Sequence, residues 1–317
     1  LALSEPTPVV FGRAPASRPG LATWACLAGV ILSWGGNWPF IKVAVGELGP
    51  FSFTAIRIVG AAAVLALIVA ASRAPFLPPR GERAPLALIG LCQVALMLAL
   101  SAIGLQFVTS GRGVVLGYTF QLWTIPIGAA LLGERIGGRQ ALGTAIGLAG
   151  LVLFFNPAVV DWSDARALFG NALIILGSIA WALGSCLYRR RRWRSAMWTQ
   201  TFWQMAVSAP VLVAIALAAD GGIALRWSGE AAAILLFNWI VPTAIGYWWW
   251  AKILAAIPAS LAGQVLMLTP VVGFLISAFA FGEPISAGVV ASIGLIVAGL
   301  MVTVAKPAGN AAAPVKS

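Results

Sequence analysis

The chain has 317 residues, 61% of them hydrophobic and only 9% charged, whereas soluble domains carry about 25% charged residues. Twenty Lys and Arg against nine Asp and Glu give a net charge of +11, but the basic residues fall in short segments between apolar runs. That is the pattern of a membrane protein with basic cytoplasmic loops, not of a nucleic-acid binder. The sequence contains no histidine, which excludes a Ser-His-Asp triad, a histidine metal cluster and a histidine proton shuttle.

Nine stretches lack Asp, Glu, Lys and Arg altogether: 19–41, 84–111, 113–133, 140–160, 167–188, 195–219, 231–251, 253–282 and 284–305. Each is long enough for the roughly 20 residues of a membrane helix. A further apolar stretch, about 50–72, is interrupted only by Arg57, so ten spans are expected in an all-α integral membrane protein. Turn residues separate them, among them Gly46 to Pro50, Pro75 to Pro85, Gly137-Gly138, Asn156-Pro157, Gly221-Gly222 and Pro258. Residues 1–18 and 307–317 read as cytoplasmic tails, and a start at Leu1 instead of Met is expected of a trimmed chain. Span 1 follows a polar, Pro-rich tail and lacks a small-residue cleavage site after it, so it is expected to be retained. Cys26, Cys92 and Cys186 lie in three different spans with no CxxC spacing and read as small buried residues.

Placing the N-terminus in the cytoplasm puts most Lys and Arg on that side, from Arg13 and Arg18 through Arg73, Arg80, Arg83, Arg135, Arg139 and the Arg189–Arg194 cluster to Lys252 and Lys306. The other face receives Lys42, Arg112, Arg166 and Arg226 with most of the acids. This bias predicts an even number of spans with both termini cytoplasmic. Five arginines between Arg189 and Arg194 form an anchor for anionic lipid.

Self-similarity appears at an offset of about 147–149 residues. Leu132-Gly133-Glu134, Ile136 and Ala149-Gly150-Leu151 align with Phe281-Gly282-Glu283, Ile285 and Ala298-Gly299-Leu300. Two repeats, 19–160 and 161–306, would each hold five spans. An odd number forces the second copy to insert upside down, with Glu134 inside and Glu283 outside. Inverted repeats of this kind are the architecture of secondary transporters; chance recurrence of Gly-Glu turns between apolar helices is the alternative.

The motifs that carry a family resemblance are Trp34 through Lys42 on span 1, Pro50 through Arg57, Tyr118-Thr-Phe-Gln121-Leu-Trp123 running to Glu134, Trp181-Ala-Leu-Gly184-Ser185, Ile257 through Ser260, and Leu268-Thr-Pro270-Val271 running to Glu283. Over about 21–305 the chain resembles the drug/metabolite transporter superfamily, EamA type, and within it the YddG-like aromatic amino acid exporters. The resemblance implies ten helices, export of amino acids or other metabolites, and a cavity lined by spans 1, 3, 4, 6, 8 and 9. In one respect the chain departs from the family pattern: Gln121 stands where the second half has Pro270, with the proline displaced to Pro126. The break in that helix is therefore expected nearer the cytoplasm.

Six uncharged polar residues fall on those six spans: Asn37, Gln93, Gln121, Ser185, Asn238 and Gln264. Each is either a cavity group or an interhelical hydrogen bond worth on the order of 1 kcal/mol. Of the 14 tryptophans, Trp162, Trp193, Trp198 and Trp227 lie near span ends and read as interface anchors. Trp34, Trp38, Trp123, Trp181 and Trp239 are deeper. Trp34 and Trp181, related by the repeat, are expected to face one another across the cavity, while plain packing is an equal reading of Trp123. Tyr118 joins the candidate lining. Lys42 either snorkels to the outer surface or attracts a substrate carboxylate. Arg57 is read as a partner for helix-end carbonyls or for Glu47.

No acid lies at mid-span, which disfavours proton antiport through a central carboxylate and favours facilitated, gradient-driven export. An intramembrane enzyme would need a nucleophile and base, paired aspartates or metal ligands within spans, and the spans offer none of these. No cofactor or metal is expected. The expected function is a secondary transporter of the inner membrane that exports aromatic and other mostly neutral amino acids by alternating access. Export of another small metabolite or drug, with ion coupling open, is the alternative. Gly143-x-x-x-Gly147 on span 5 is either a dimer face or tight packing within one subunit, and a monomer is favoured.

Overall fold

The structure, a computed structural model, describes residues 20–108, 116–134, 136–155, 164–223, 227–281 and 287–304. Among these residues it is all-helical. In chain order the helices are α1 (Leu21–Gly35), α2 (Trp38–Leu48), α3 (Pro50–Ala71), α4 (Arg80–Gly104), α5 (Phe120–Leu132), α6 (Gly138–Phe155), α7 (Ala165–Arg190), α8 (Met197–Asp220), α9 (Gly229–Ala256), α10 (Ala259–Val265), α11 (Leu268–Phe281) and α12 (Ala287–Val304). Six helical stretches are long and apolar enough to cross a bilayer, and shorter apolar helices accompany them. The chain is a multi-pass membrane protein.

Where the sequence suggested one uninterrupted first span, the backbone turns at Gly36–Asn37 and resumes as α2, which runs past Lys42 to Leu48. Gly49 then adopts φ +78, a conformation open to glycine because it lacks Cβ. Pro50 follows as the first residue of α3, where its missing N–H costs no helical hydrogen bond. The chain therefore reverses between α2 and α3 without a loop.

Local irregularities recur in register. π-helical turns open at Leu91 within α4 (Leu91–Leu96) and at Trp239 within α9 (Trp239–Ile245), 148 residues apart. The turn at Tyr118–Thr119 before α5 and the turn at Leu266–Met267 between α10 and α11 have the same separation. These pairs fall inside the 147–149 offset of the sequence motifs. The expectation of a break displaced toward Pro126 is corrected here: α5 runs continuously through Pro126, and its break matches that of the second half.

Packing follows the same relation. α3 packs on α8 and α6 on α12; α7 packs on α4 and α5, as α1 does on α9 and α11; and α4 meets α8 as α9 meets α3. Exchanging first-half helices for their second-half counterparts maps this set of pairings onto itself. The two counterpart pairs run antiparallel. Ser52, at the start of α3, bonds Asp220 at the end of α8 through its N–H (3.0 Å) and hydroxyl (2.6 Å). At the opposite end of that pair Thr199 donates to the Pro75 carbonyl at 2.8 Å. In the other pair, Gly143 lies against Gly299 and Thr303 while Gly150 lies against Ile296. A Cβ at Gly299 would come within 2.5 Å of the Gly143 carbonyl and the Gly147 N–H, so the small residues of Gly143-x-x-x-Gly147 bring two helices of one subunit together.

Candidate functional site

Where α1, α7 and α9 converge, six aromatic rings touch. Trp34 stands 5.7 Å from Tyr247, 6.2 Å from Trp250 and 6.3 Å from Trp181, the last edge to face. Trp181 continues the contact to Trp250 at 4.7 Å and to Phe120 at 4.1 Å, and Phe120 to Tyr118 at 5.9 Å. Tilted and T-shaped arrangements at these separations are the favourable ones for aromatic quadrupoles. Most of the cluster is buried: Trp181 is 3% exposed, Trp250 1% and Tyr247 8%, while Trp34 is partly buried. Trp34 and Trp181 thus meet directly, and the expected gap between them is absent.

Polar side chains fix this cluster to the backbone. The Trp34 indole donates to the Pro242 carbonyl, inside the π turn of α9, at 2.8 Å. The Gln93 amide, in the π turn of α4, donates to the Ser185 hydroxyl at 2.7 Å, and that hydroxyl donates on to the Trp181 carbonyl at 2.9 Å. Trp250 approaches the same hydroxyl at 3.4 Å. Buried polar groups hold their place only when hydrogen-bonded, and each π turn here supplies or receives one such bond. Asn37 and Asn238 exchange amide hydrogen bonds at 2.8 and 3.0 Å, tying the break after α1 to the turn entering the π segment.

Gln121 bridges the two counterpart breaks: with its oxygen toward the Met267 N–H at 3.2 Å, its nitrogen donates to the Tyr118 carbonyl. The Ser178 hydroxyl of α7 lies within hydrogen-bond distance of the carbonyls of Leu116 and Gly117, at 2.8 and 2.9 Å, tying α7 to the residues just before the break.

Other candidates lie elsewhere. Gln264 donates to Thr144 of α6, away from the rings. Trp239 donates to the Ile56 carbonyl at 3.1 Å and presses on Gly60, where a Cβ would come within 2.1 Å of its ring. It packs between α9 and α3, so this candidate lining residue lies apart from the ring cluster. Depth along a helix does not give the face. The side chains of Trp38 and Lys42 lie outside the described residues. Trp123 packs against the central core with its buried indole nitrogen unpartnered among the described residues.

Tyr247, Trp250 and Phe120 were not singled out in the sequence, although Tyr247 and Trp250, three residues apart in Gly246-Tyr-Trp-Trp-Trp250, share a helix face. Their neighbour Trp248 points the other way, stacked on Trp198 at 4.3 Å beneath Lys252. Among the described residues Arg57 bonds neither helix-end carbonyls nor Glu47: its Nε donates to Thr243 at 2.8 Å, while Glu47 accepts from the Ser228 N–H and hydroxyl.

At the arginine-rich end, Glu134 follows α5 and pairs with Arg189 at 3.3 Å. It also accepts from the Ala259 N–H (3.2 Å) and the Ser260 hydroxyl (2.7 Å), and Arg189 donates to the Leu254 and Ile257 carbonyls. A cleft of about 290 Å³ opens here, lined by Glu134, Gln140, Pro258, Ser260, Leu261 and Thr303.

The sequence profile of the EamA-like transporter family matches this chain twice, over residues 22–156 and 168–305. The chain is 24% identical to YoaV, an uncharacterized transporter of Bacillus subtilis (strain 168), across 86% of this chain and 92% of that protein. It is 28% identical to YedA, an uncharacterized inner membrane transporter of Escherichia coli (strain K12), across 94% and 97%. A solved crystal structure shares the fold at a TM-score of 0.76 and 20% identity, covering 89% of this chain and 96% of that one. The chain belongs to the EamA-like transporter family.

Proposed function

We propose that this transporter exports aromatic and other mostly neutral amino acids from the cytoplasm by alternating access, as a YddG-like exporter of the inner membrane. The observation that carries the reading is the cluster of the partly buried Trp34 with the buried Trp181, Tyr247 and Trp250, bordered by the neutral Gln93–Ser185 and Asn37–Asn238 pairs. Rings suit an apolar or aromatic side chain, amides suit an ammonium and a carboxylate, and indole faces attract an ammonium. Binding requires the rings to part, which matches a closed centre that opens alternately to each side. Gln121 and Tyr118 border the cluster, and Trp38 and Lys42 complete the candidate set on α2.

Ten spans in two inverted five-helix repeats, with both termini cytoplasmic, supply the alternation. The two matched stretches of the family profile, the recurrence of π turns and breaks, and the antiparallel α3–α8 and α6–α12 pairs support this arrangement. The described acids Glu47, Glu82, Glu134, Asp164, Asp220 and Glu230 sit at helix ends, which favours facilitated diffusion. Packing of Gly143-x-x-x-Gly147 inside the subunit favours a monomer. Uptake of a panel of labelled amino acids into liposomes containing the purified chain tests the reading. Saturable flux of phenylalanine and leucine supports it; flux of other metabolites alone moves the substrate class to the alternative.

A further inference from the structure

Arg57 is the one charged residue in the 22 residues of α3, and at 1.5 Å per residue it sits roughly 10 Å in from the helix start. A lone cation at such a position is costly to desolvate unless an anion or a hydrated cavity receives it. Its recorded bond, from Nε to Thr243 Oγ1, is to a neutral hydroxyl. Among the described residues no ion pair includes it, and of the acids toward the same end Glu47 is engaged on Ser228 and Asp220 on Ser52, while Glu230 stands exposed in the first turn of α9.

The placement of its head is specific. Thr243 is fully buried in the π turn of α9, and π turns cluster at functional sites. That turn is fixed on both sides, by the Trp34 indole on the Pro242 carbonyl and by the Trp239 indole on the Ile56 carbonyl of α3. Tyr247, four residues further along α9, is within electrostatic reach of the guanidinium, and its ring meets Trp34. Arg57 therefore stands beside the aromatic cluster. With Nε on Thr243, the edge formed by its two Nη groups keeps the geometry that takes a carboxylate through two parallel hydrogen bonds.

We propose that Arg57, held by Thr243, binds the carboxylate of the transported molecule, so that the site selects small organic acids and zwitterions over amines and amides. This rests on the reading of the cluster as the substrate site. It assigns the anionic end to a residue that the sequence suggested was structural.

The test is binding to the full chain in nanodiscs of zwitterionic lipid, followed by tryptophan fluorescence, with 3-phenylpropionate and its uncharged amide as probes. The wild-type chain is expected to prefer the carboxylate by roughly tenfold or more, as a charge-assisted bidentate contact gives. Arg57→Gln should bring the two probes within about twofold, while Arg57→Lys, which keeps the charge but not the fork, should retain part of the preference. Thr243→Val, which leaves the cation but releases its head, should lower the preference about threefold or more, and it decides the matter if Arg57→Gln does not fold. A wild-type chain indifferent to the charge overturns the proposal, as does an undiminished preference in folded Arg57→Gln or, failing that variant, in Thr243→Val. Carboxylate preference without amino acid flux in liposomes would remove the amino acid reading and leave the anion site standing; amino acid flux with an Arg57→Gln variant that still prefers the carboxylate would do the reverse.

Discussion

The side-chain amides of Asn37 and Asn238 donate to each other's oxygens, at 2.8 and 3.0 Å, with both residues buried. The second bond of the Asn238 nitrogen, to the Ile234 carbonyl at 3.0 Å, locks its rotamer. This pair joins the break between α1 and α2 to the start of the π turn in α9, and each amide satisfies the other's oxygen where no water is at hand.

A double-mutant cycle on this pair should therefore show coupling. Asn37→Leu and Asn238→Leu each strand an amide and should lower stability in detergent, whereas the double variant should lose less than the sum. The expected interaction is about 1–2 kcal/mol, the range of interhelical hydrogen bonds in membranes. Additive losses in thermal unfolding would show that the two amides do not depend on each other.

The α6–α12 contact makes a steric prediction. A Cβ at Gly143 would come within 2.2 Å of the Thr303 hydroxyl and 2.5 Å of the Gly299 carbonyl, so Gly143→Leu must push the helices apart, at a cost of about 1–3 kcal/mol for overpacking. Thermal unfolding should fall accordingly while the oligomeric state stays unchanged. A shift in oligomeric mass without loss of stability would instead place this face between subunits.

Glu134 and Glu283, counterparts in the repeat, should lie on opposite sides of the membrane. Cysteines at these positions, in a chain lacking Cys26, Cys92 and Cys186, are expected to react with impermeant thiol reagent from opposite faces. Labelling from the same face would contradict the inverted arrangement. Glu134 lies at the end that holds Arg189; Glu283 lies outside the described residues.

Flux should saturate with substrate and persist when the proton gradient is collapsed, since no carboxylate among the described residues sits at mid-span. Strict dependence on the gradient in liposomes would point to a titrating group elsewhere, with Lys42 the first to replace.

How much of this was legible in the sequence differs by kind of feature. Apolar runs and the Gly-Glu motifs exposed the helices and their offset, because membrane length and turn chemistry are written locally. The matched π turns at Leu91 and Trp239 were not, since a π turn is a backbone adjustment that depends on the neighbouring helix. Trp34 and Trp181 were expected to face one another across a cavity, whereas their rings meet edge to face at 6.3 Å; the count of residues cannot tell a filled centre from an open one. Trp239 was singled out from the sequence and Trp250 was not, although both are deep in α9: one faces α3 and the other the cluster, and that is a matter of helix phase, not of depth. Arg57 and Thr243 are 186 residues apart in sequence, and no local pattern pairs them.

The claim that the aromatic cluster receives the substrate is tested most directly by a ratio of two fluxes. Replacing Trp34 or Trp181 by Ala removes an apolar face worth about 1–3 kcal/mol to a bound aromatic side chain, enough to weaken it tenfold or more. Threonine uses that face less. Because Trp181 is 3% exposed and its truncation leaves a cavity costing about 3–5 kcal/mol, Trp181→Phe serves as the milder companion, and all variants are compared at matched membrane expression. The measurement is phenylalanine transport relative to threonine transport in Trp34→Ala, Trp181→Ala and Trp181→Phe. The account predicts a ratio reduced several-fold in both alanine variants and less in Trp181→Phe; equal loss of both substrates, or loss of neither, would contradict it and make the tryptophans packing residues.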